Sequence, residues 1–125
     1  MAKKSALVFG IIFILVGILG FFENPIVGMD SLFVTDVIHN LVHLIIGIIL
    51  LVISLKSPAK SAVALKIFGI IYLVLAIIGF FSGSTLLGLV AINSADNWLH
   101  LVLGIVITAL GFMAKDSASA PAPMM

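Results

Sequence analysis

The sequence predicts an all-α membrane protein: a four-transmembrane-helix bundle made of two tandem parallel two-helix repeats. Three observations predict it. The composition is 63% hydrophobic and only 9% charged, with a mean hydropathy of +1.43, which is more apolar surface than a small soluble domain can hide. The apolar residues fall into four stretches, each close to the ~20 residues that a helix needs to span ~30 Å of hydrocarbon. Inside two of those stretches a polar phrase recurs. Asn40-Leu-Val-His43-Leu-Ile-Ile-Gly47-Ile and Asn97-Trp-Leu-His100-Leu-Val-Leu-Gly104-Ile carry Asn, His and Gly at the same spacing, 57 residues apart. A barrel does not fit, because barrel strands alternate apolar and polar residues whereas these stretches are apolar all round.

The first stretch, Ser5–Phe22, follows Lys3 and Lys4. Two lysines before an apolar run resemble a signal peptide, but Gly20-Phe-Phe-Glu-Asn offers no small-residue cleavage site, so the segment is expected to be a retained helix. The second, Thr35–Leu55, opens with Asp36, a natural N-cap. A short polar turn, Lys56-Ser-Pro-Ala-Lys60, leads to the third stretch, Ala62–Phe81, and the fourth is Ser94–Ala114. Residues 9–22 align with residues 68–81 at an offset of 59, with eight of fourteen positions identical. Together with the recurring Asn-x-x-His phrase, this indicates an internal duplication. The expected organisation is a transmembrane domain over residues 1–115, with units 5–55 and 62–114, followed by a disordered cytoplasmic tail of low complexity over 116–125. Each unit crosses the membrane twice, so both copies keep one orientation and both His phrases lie near the same face.

Charge placement sets that orientation. The six basic residues are Lys3, Lys4, Lys56, Lys60, Lys66 and Lys115, while Glu23, Asp30, Asp36 and Asp96 lie at the opposite ends of the helices. The positive-inside rule then predicts a multi-pass protein of the cytoplasmic (inner) membrane with both termini in the cytoplasm. The loops Glu23–Val34 and Ser82–Asn93 face outward, mixing turn residues with apolar ones that are expected to fold over the bundle mouth. The sequence has no cysteine and a net charge of +1. Thiolate chemistry is thereby excluded within it, and nothing in it suggests nucleic acid.

The candidate site is a polar face. Asp36, His39, Asn40, His43 and Gly47 share one side of helix 2, and Asn93, Asp96, Asn97, His100 and Gly104 share one side of helix 4. Helices 2 and 4 are expected to face each other, with this polar layer between their outer halves. Four readings follow. In the structural one, Asp36, Asn40, Asn93, Asn97, Gly47 and Gly104 form a polar and small-residue cluster that sets helix register. In the second, His39, His43, Asp96 and His100 hold a zinc-like metal ion. In the third, His43 or His100 ligates a tetrapyrrole. In the fourth, ionisable groups conduct protons or ions, although no continuous relay can be drawn. Tyr72 is expected to face the bundle with its hydroxyl on a carbonyl, and Trp98 to lie in the aromatic belt. No nucleophile paired with a base is legible, so no enzyme is expected. The bilayer is the expected partner, along with a second copy or a larger membrane complex, in the manner of an accessory subunit or scaffold.

The phrases His39-Asn-Leu-Val-His43-Leu-Ile-Ile-Gly47 and Asp96-Asn-Trp-Leu-His100-Leu-Val-Leu-Gly104 resemble a family of small prokaryotic four-helix membrane proteins catalogued as domain of unknown function 4383. The resemblance spans roughly residues 5–114 and implies a fold and a membrane location but no activity. It singles out His39, Asn40, His43, Gly47, Asp96, Asn97, His100 and Gly104.

Overall fold

The computed structural model describes residues 1–114; the tail expected over 116–125 lies outside the described residues. Four helices dominate: α1 (Ala2–Leu19), α2 (Val37–Lys56), α3 (Ser61–Phe80) and α4 (Ser94–Met113). All four are long and apolar enough to cross a membrane. Their outward faces are covered with aliphatic residues such as Leu15, Ile45, Ile49, Ile77 and Ile105, each exposed, whereas His39, Asn40, His43, Asp96, Asn97 and His100 are buried. An apolar exterior around an interior that contains a layer of buried polar residues suits a multi-pass membrane protein.

Helix ends follow local chemistry. Helix α1 starts and stops three residues earlier than the hydropathy pattern suggests. Lys3 and Lys4 fall within it, and it ends where the Asn24 side-chain amide donates to the Leu19 carbonyl at 2.9 Å. Asp36 caps α2 by accepting the His39 N–H at 2.8 Å. At the start of α4, Asn93 and Asp96 form a reciprocal capping box. Between α2 and α3 the turn tightens into a 3₁₀ segment, Pro58–Lys60.

Close approach occurs within each helical hairpin. A Cβ on Gly47 of α2 would fall 2.7 Å from the Gly10 carbonyl oxygen and 2.8 Å from the Ile14 nitrogen of α1. A Cβ on Gly104 of α4 would fall 2.8 Å from the Leu73 nitrogen of α3, and one on Gly69 would meet Thr108 in the same way. The α1/α2 and α3/α4 pairs are accordingly the most intimate contacts. Across the seam between hairpins, α1 lies nearer α3 than α2 lies to α4. The expected facing of α2 and α4 is therefore not a close approach of backbones. The glycines are buried inside the hairpins, and α2 and α4 meet instead through bulky imidazoles. Below this layer the core is apolar, with Ala6, Leu50, Leu65 and Ile107 fully buried.

Each of the two longer loops, between α1 and α2 and between α3 and α4, contains a pair of two-residue strands that the sequence pattern did not announce. In the first loop β1 (Val27–Gly28) pairs in parallel with β2 (Phe33–Val34); in the second β3 (Thr85–Leu86) pairs antiparallel with β4 (Val90–Ala91). Val27, Thr35, Leu86 and Ile92 are buried, so both loops fold inward over the bundle mouth as their apolar content predicts.

Candidate functional site: a three-histidine centre

The loops and caps position the site. Asp36, besides capping α2, accepts the Ala91 N–H through its second carboxylate oxygen at 3.0 Å. His39 donates from Nδ1 to the Ala91 carbonyl at 2.8 Å. Both peptide groups of Ala91 are thus held by α2, which ties the second loop to the first hairpin. The converse tie runs from Asn93 Nδ2 to the Leu32 carbonyl at 2.9 Å. Because a carbonyl can only accept, His39 carries a proton on Nδ1, and in the neutral ring Nε2 is the nitrogen left to accept or to ligate.

His39, His43 and His100 converge, each offering a ring nitrogen within 4.8 Å of the others. Their residual exposures are 3%, 7% and 6%. The ring centroids of His39 and His43 lie 4.5 Å apart, and those of His39 and His100 5.7 Å apart. Aromatic rings back the centre from α1 and α3. Phe13 stacks on Tyr72 at 5.4 Å, and Tyr72 lies 5.3 Å from His100. Nδ1 of His43 is buried with no hydrogen-bond partner among the described residues.

The remaining candidates are distributed around this triad. Asp96 is buried at the start of α4, where its carboxylate accepts the Asn93 N–H at 3.1 Å. It lies outside the group of three converging ligand atoms. Asn40 and Asn97 turn away from the centre and lie over Gly20 and Gly79, where a Cβ on either glycine would overlap the amide oxygen. Asp36 and Asn93 sit at the caps, and Gly47 and Gly104 at the hairpin interfaces. Helical geometry explains the dispersal: at ~100° per residue, Asn40 is rotated well away from His39 while His43 returns to nearly the same side.

Two cavities flank the triad at the seams between hairpins. One, of about 200 Å³, lies between α1 and α4. Phe13, Val16 and Leu103 line it, with Thr35, Asp96, His43 and His100 contributing its polar groups. The other, of about 190 Å³, lies between α2 and α3, with Leu75, Ile46 and Leu86 on its walls and His39, His43, Tyr72 and His100 as polar groups. The Thr35 and Tyr72 hydroxyls are buried without partners among the described residues. For Tyr72 this replaces the expected bond to a carbonyl. Neither hydroxyl was assigned to the site from sequence. The available signal was a departure between aligned positions: Tyr72 stands where Phe13 stands earlier, and Thr35 where Ile92 stands later.

Chemically, the centre offers imidazole nitrogens in a dry setting, the donor type preferred by zinc and other borderline transition metals. The Nδ1–H of His39 on a carbonyl is the usual outer support for a metal-binding imidazole. Residues 3–113 match the family described as Domain of unknown function (DUF4383). No curated protein and no solved structure matches the chain.

Proposed function

The chain belongs to the DUF4383 family, a domain of unknown function, and from the geometry of its site we propose that it is a metal-binding membrane protein without catalytic activity. His39, His43 and His100 hold a transition-metal ion of the zinc type. The observation that carries this reading is the convergence of three buried imidazoles with ring nitrogens within 4.8 Å. The His39 Nδ1–H is engaged by a carbonyl, which leaves Nε2 for the ion, and the unpartnered Nδ1 of His43 is relieved if that nitrogen itself ligates. Asp96 shares a cavity wall with His43 and His100 but keeps its carboxylate in the α4 cap, outside the proposed ligand set. Bound by the three imidazoles, the ion would supply structural cross-linking between hairpins and an electrophilic centre. Each cavity is smaller than the ~300–1,000 Å³ of pockets for drug-sized ligands, so a tetrapyrrole is disfavoured.

The reading includes an architecture and a location. The two hairpins are tandem copies in parallel orientation. Their support is a common internal register: Gly10 meets Leu51 as Gly69 meets Thr108, and Gly47 meets Ile14 as Gly104 meets Leu73. The cavities correspond too, with Phe13, Val16 and Leu103 matched by Tyr72, Leu75 and Ile46. The protein resides in the cytoplasmic membrane with both termini inside, a placement supported by the lysines at one end of the bundle.

The test is metal analysis of protein purified gently from its native membrane. Near-stoichiometric zinc or a similar ion is expected, lost in His43→Ala and in His100→Ala, with chelator lowering wild-type thermal stability. A metal-free protein whose stability ignores chelator would exclude the ion. That outcome favours a second reading, a scaffold or accessory subunit associating with itself or a larger complex, in which the polar layer is glue. The cross-hairpin bonds of Asp36, His39 and Asn93 support that alternative.

A further inference from the structure

The α2/α3 cavity has a shape and a chemistry that a metal ion does not use. Its walls are almost wholly apolar, and its rim includes Val42 and Leu87, which are 37% and 70% exposed on the flank of the bundle. That flank faces lipid in a membrane protein. Tyr72, a residue 2% exposed, forms part of its lining, and the Tyr72 hydroxyl has no partner among the described residues. A buried donor left unpaired is destabilising, and a hydrogen-bond acceptor delivered by a ligand removes the penalty. The equivalent cavity between α1 and α4 has Phe13 in that place, and its unpartnered hydroxyl belongs instead to Thr35, next to the α2 cap.

We propose that the α2/α3 cavity binds the ring of a lipid-soluble carbonyl compound of the quinone class, which enters from the bilayer and accepts a hydrogen bond from Tyr72. Volume and depth choose the occupant. About 190 Å³ accommodates a single ring headgroup, not a macrocycle. Helix α3 ends at Phe80, so Tyr72 lies about 12 Å deeper at ~1.5 Å per residue. That is within the hydrocarbon, below the ester carbonyls of a phospholipid but within reach of a ring carried on an isoprenoid tail. Tyr72 and His100, whose rings lie 5.3 Å apart, both belong to the lining of the ring space. The proposal shares His39, His43 and His100 with the metal reading but does not require the ion.

The experiment uses the full chain in nanodiscs of dioleoylphosphatidylcholine, titrated calorimetrically with decylubiquinone. Metal content is measured on every sample. One saturable site is expected in the wild type. Tyr72→Phe should weaken it about fivefold or more, the worth of one hydrogen bond. Because the hydroxyl is unpaired in the structure, the same variant should be at least as thermally stable as the wild type, which a purely structural hydroxyl would not allow. Leu75→Trp, which fills the cavity, should abolish binding, whereas Val16→Trp in the α1/α4 cavity should leave it unchanged. If Leu75→Trp fails to fold, Leu87→Trp at the rim should block entry instead. Three results would overturn the proposal: no saturable binding, equal affinity in Tyr72→Phe, or equal binding of methyl laurate, an ester without a ring. A metal-free wild type that still shows the Tyr72 contrast would refute the metal reading alone.

Discussion

Asp36 joins two tasks at one carboxylate. One oxygen accepts the His39 N–H and caps α2, and the other accepts the Ala91 N–H from the opposite loop. Replacing it with Ala removes both acceptors and leaves a half-buried N–H unpaired. Asp36→Ala should therefore lower unfolding stability in detergent by roughly 1–2 kcal/mol. Asp30→Ala, at an exposed loop position, should change it little. The N-cap was readable from Asp36 standing just ahead of an apolar run. The bond to Ala91 was not, because it joins positions 55 residues apart. Asn24 teaches the same lesson. Its turn character was legible, but its amide holds Leu19, Phe22 and Val27 carbonyls at once, which ends α1 earlier than hydropathy alone indicates.

At the scale of elements, the hairpins are organised by glycine. A Cβ on Gly47 would press on backbone atoms of Gly10 and Ile14, and one on Gly104 on the Leu73 backbone. Backbone cannot move aside as a side-chain tip can. Gly47→Ala and Gly104→Ala should each cost on the order of 1–3 kcal/mol through overpacking, read as a loss of thermal stability in detergent. Ile45→Ala on the exposed face of α2 serves as the mild comparison. The sequence made these stripes visible as small residues at helical spacing. It did not say which neighbour they contact, since His43 and Gly47 lie on nearly one face yet serve different partners. His43 reaches the centre, and Gly47 admits α1. The paired two-residue strands of the loops were also illegible, because such short pairings depend on the loop's closure over the bundle more than on strand propensity.

For the whole molecule the testable quantity is orientation. Lysines cluster at the end that carries the chain start and the Pro58–Lys60 turn, and the proposed topology accordingly puts the three-histidine layer near the outer face. The chain has no cysteine, so a single introduced thiol reports its side without ambiguity. Ser84→Cys should react with an impermeant maleimide in intact cells, and Ala59→Cys only after the inner membrane is opened. The reverse pattern would place the histidines near the cytoplasm and reverse the proposed topology.

Composition and periodicity by themselves determined the class of this protein: four apolar helices, polar residues concentrated at one end, and the list of residues from which a site could be built. These are local properties, since solvent preference and helical spacing are written into short stretches of chain. Only the tertiary structure decided which listed residues meet. It gathered His39, His43 and His100, placed Asp96 in a cap, turned Asn40 and Asn97 onto glycines, and put Tyr72, its hydroxyl unpartnered among the described residues, in a cavity wall. The reason is geometric. Side chains within one broad helical face diverge by tens of degrees. Which of them converge depends on how the hairpins pack and how the loops close over them, and both are settled by contacts between residues far apart in sequence.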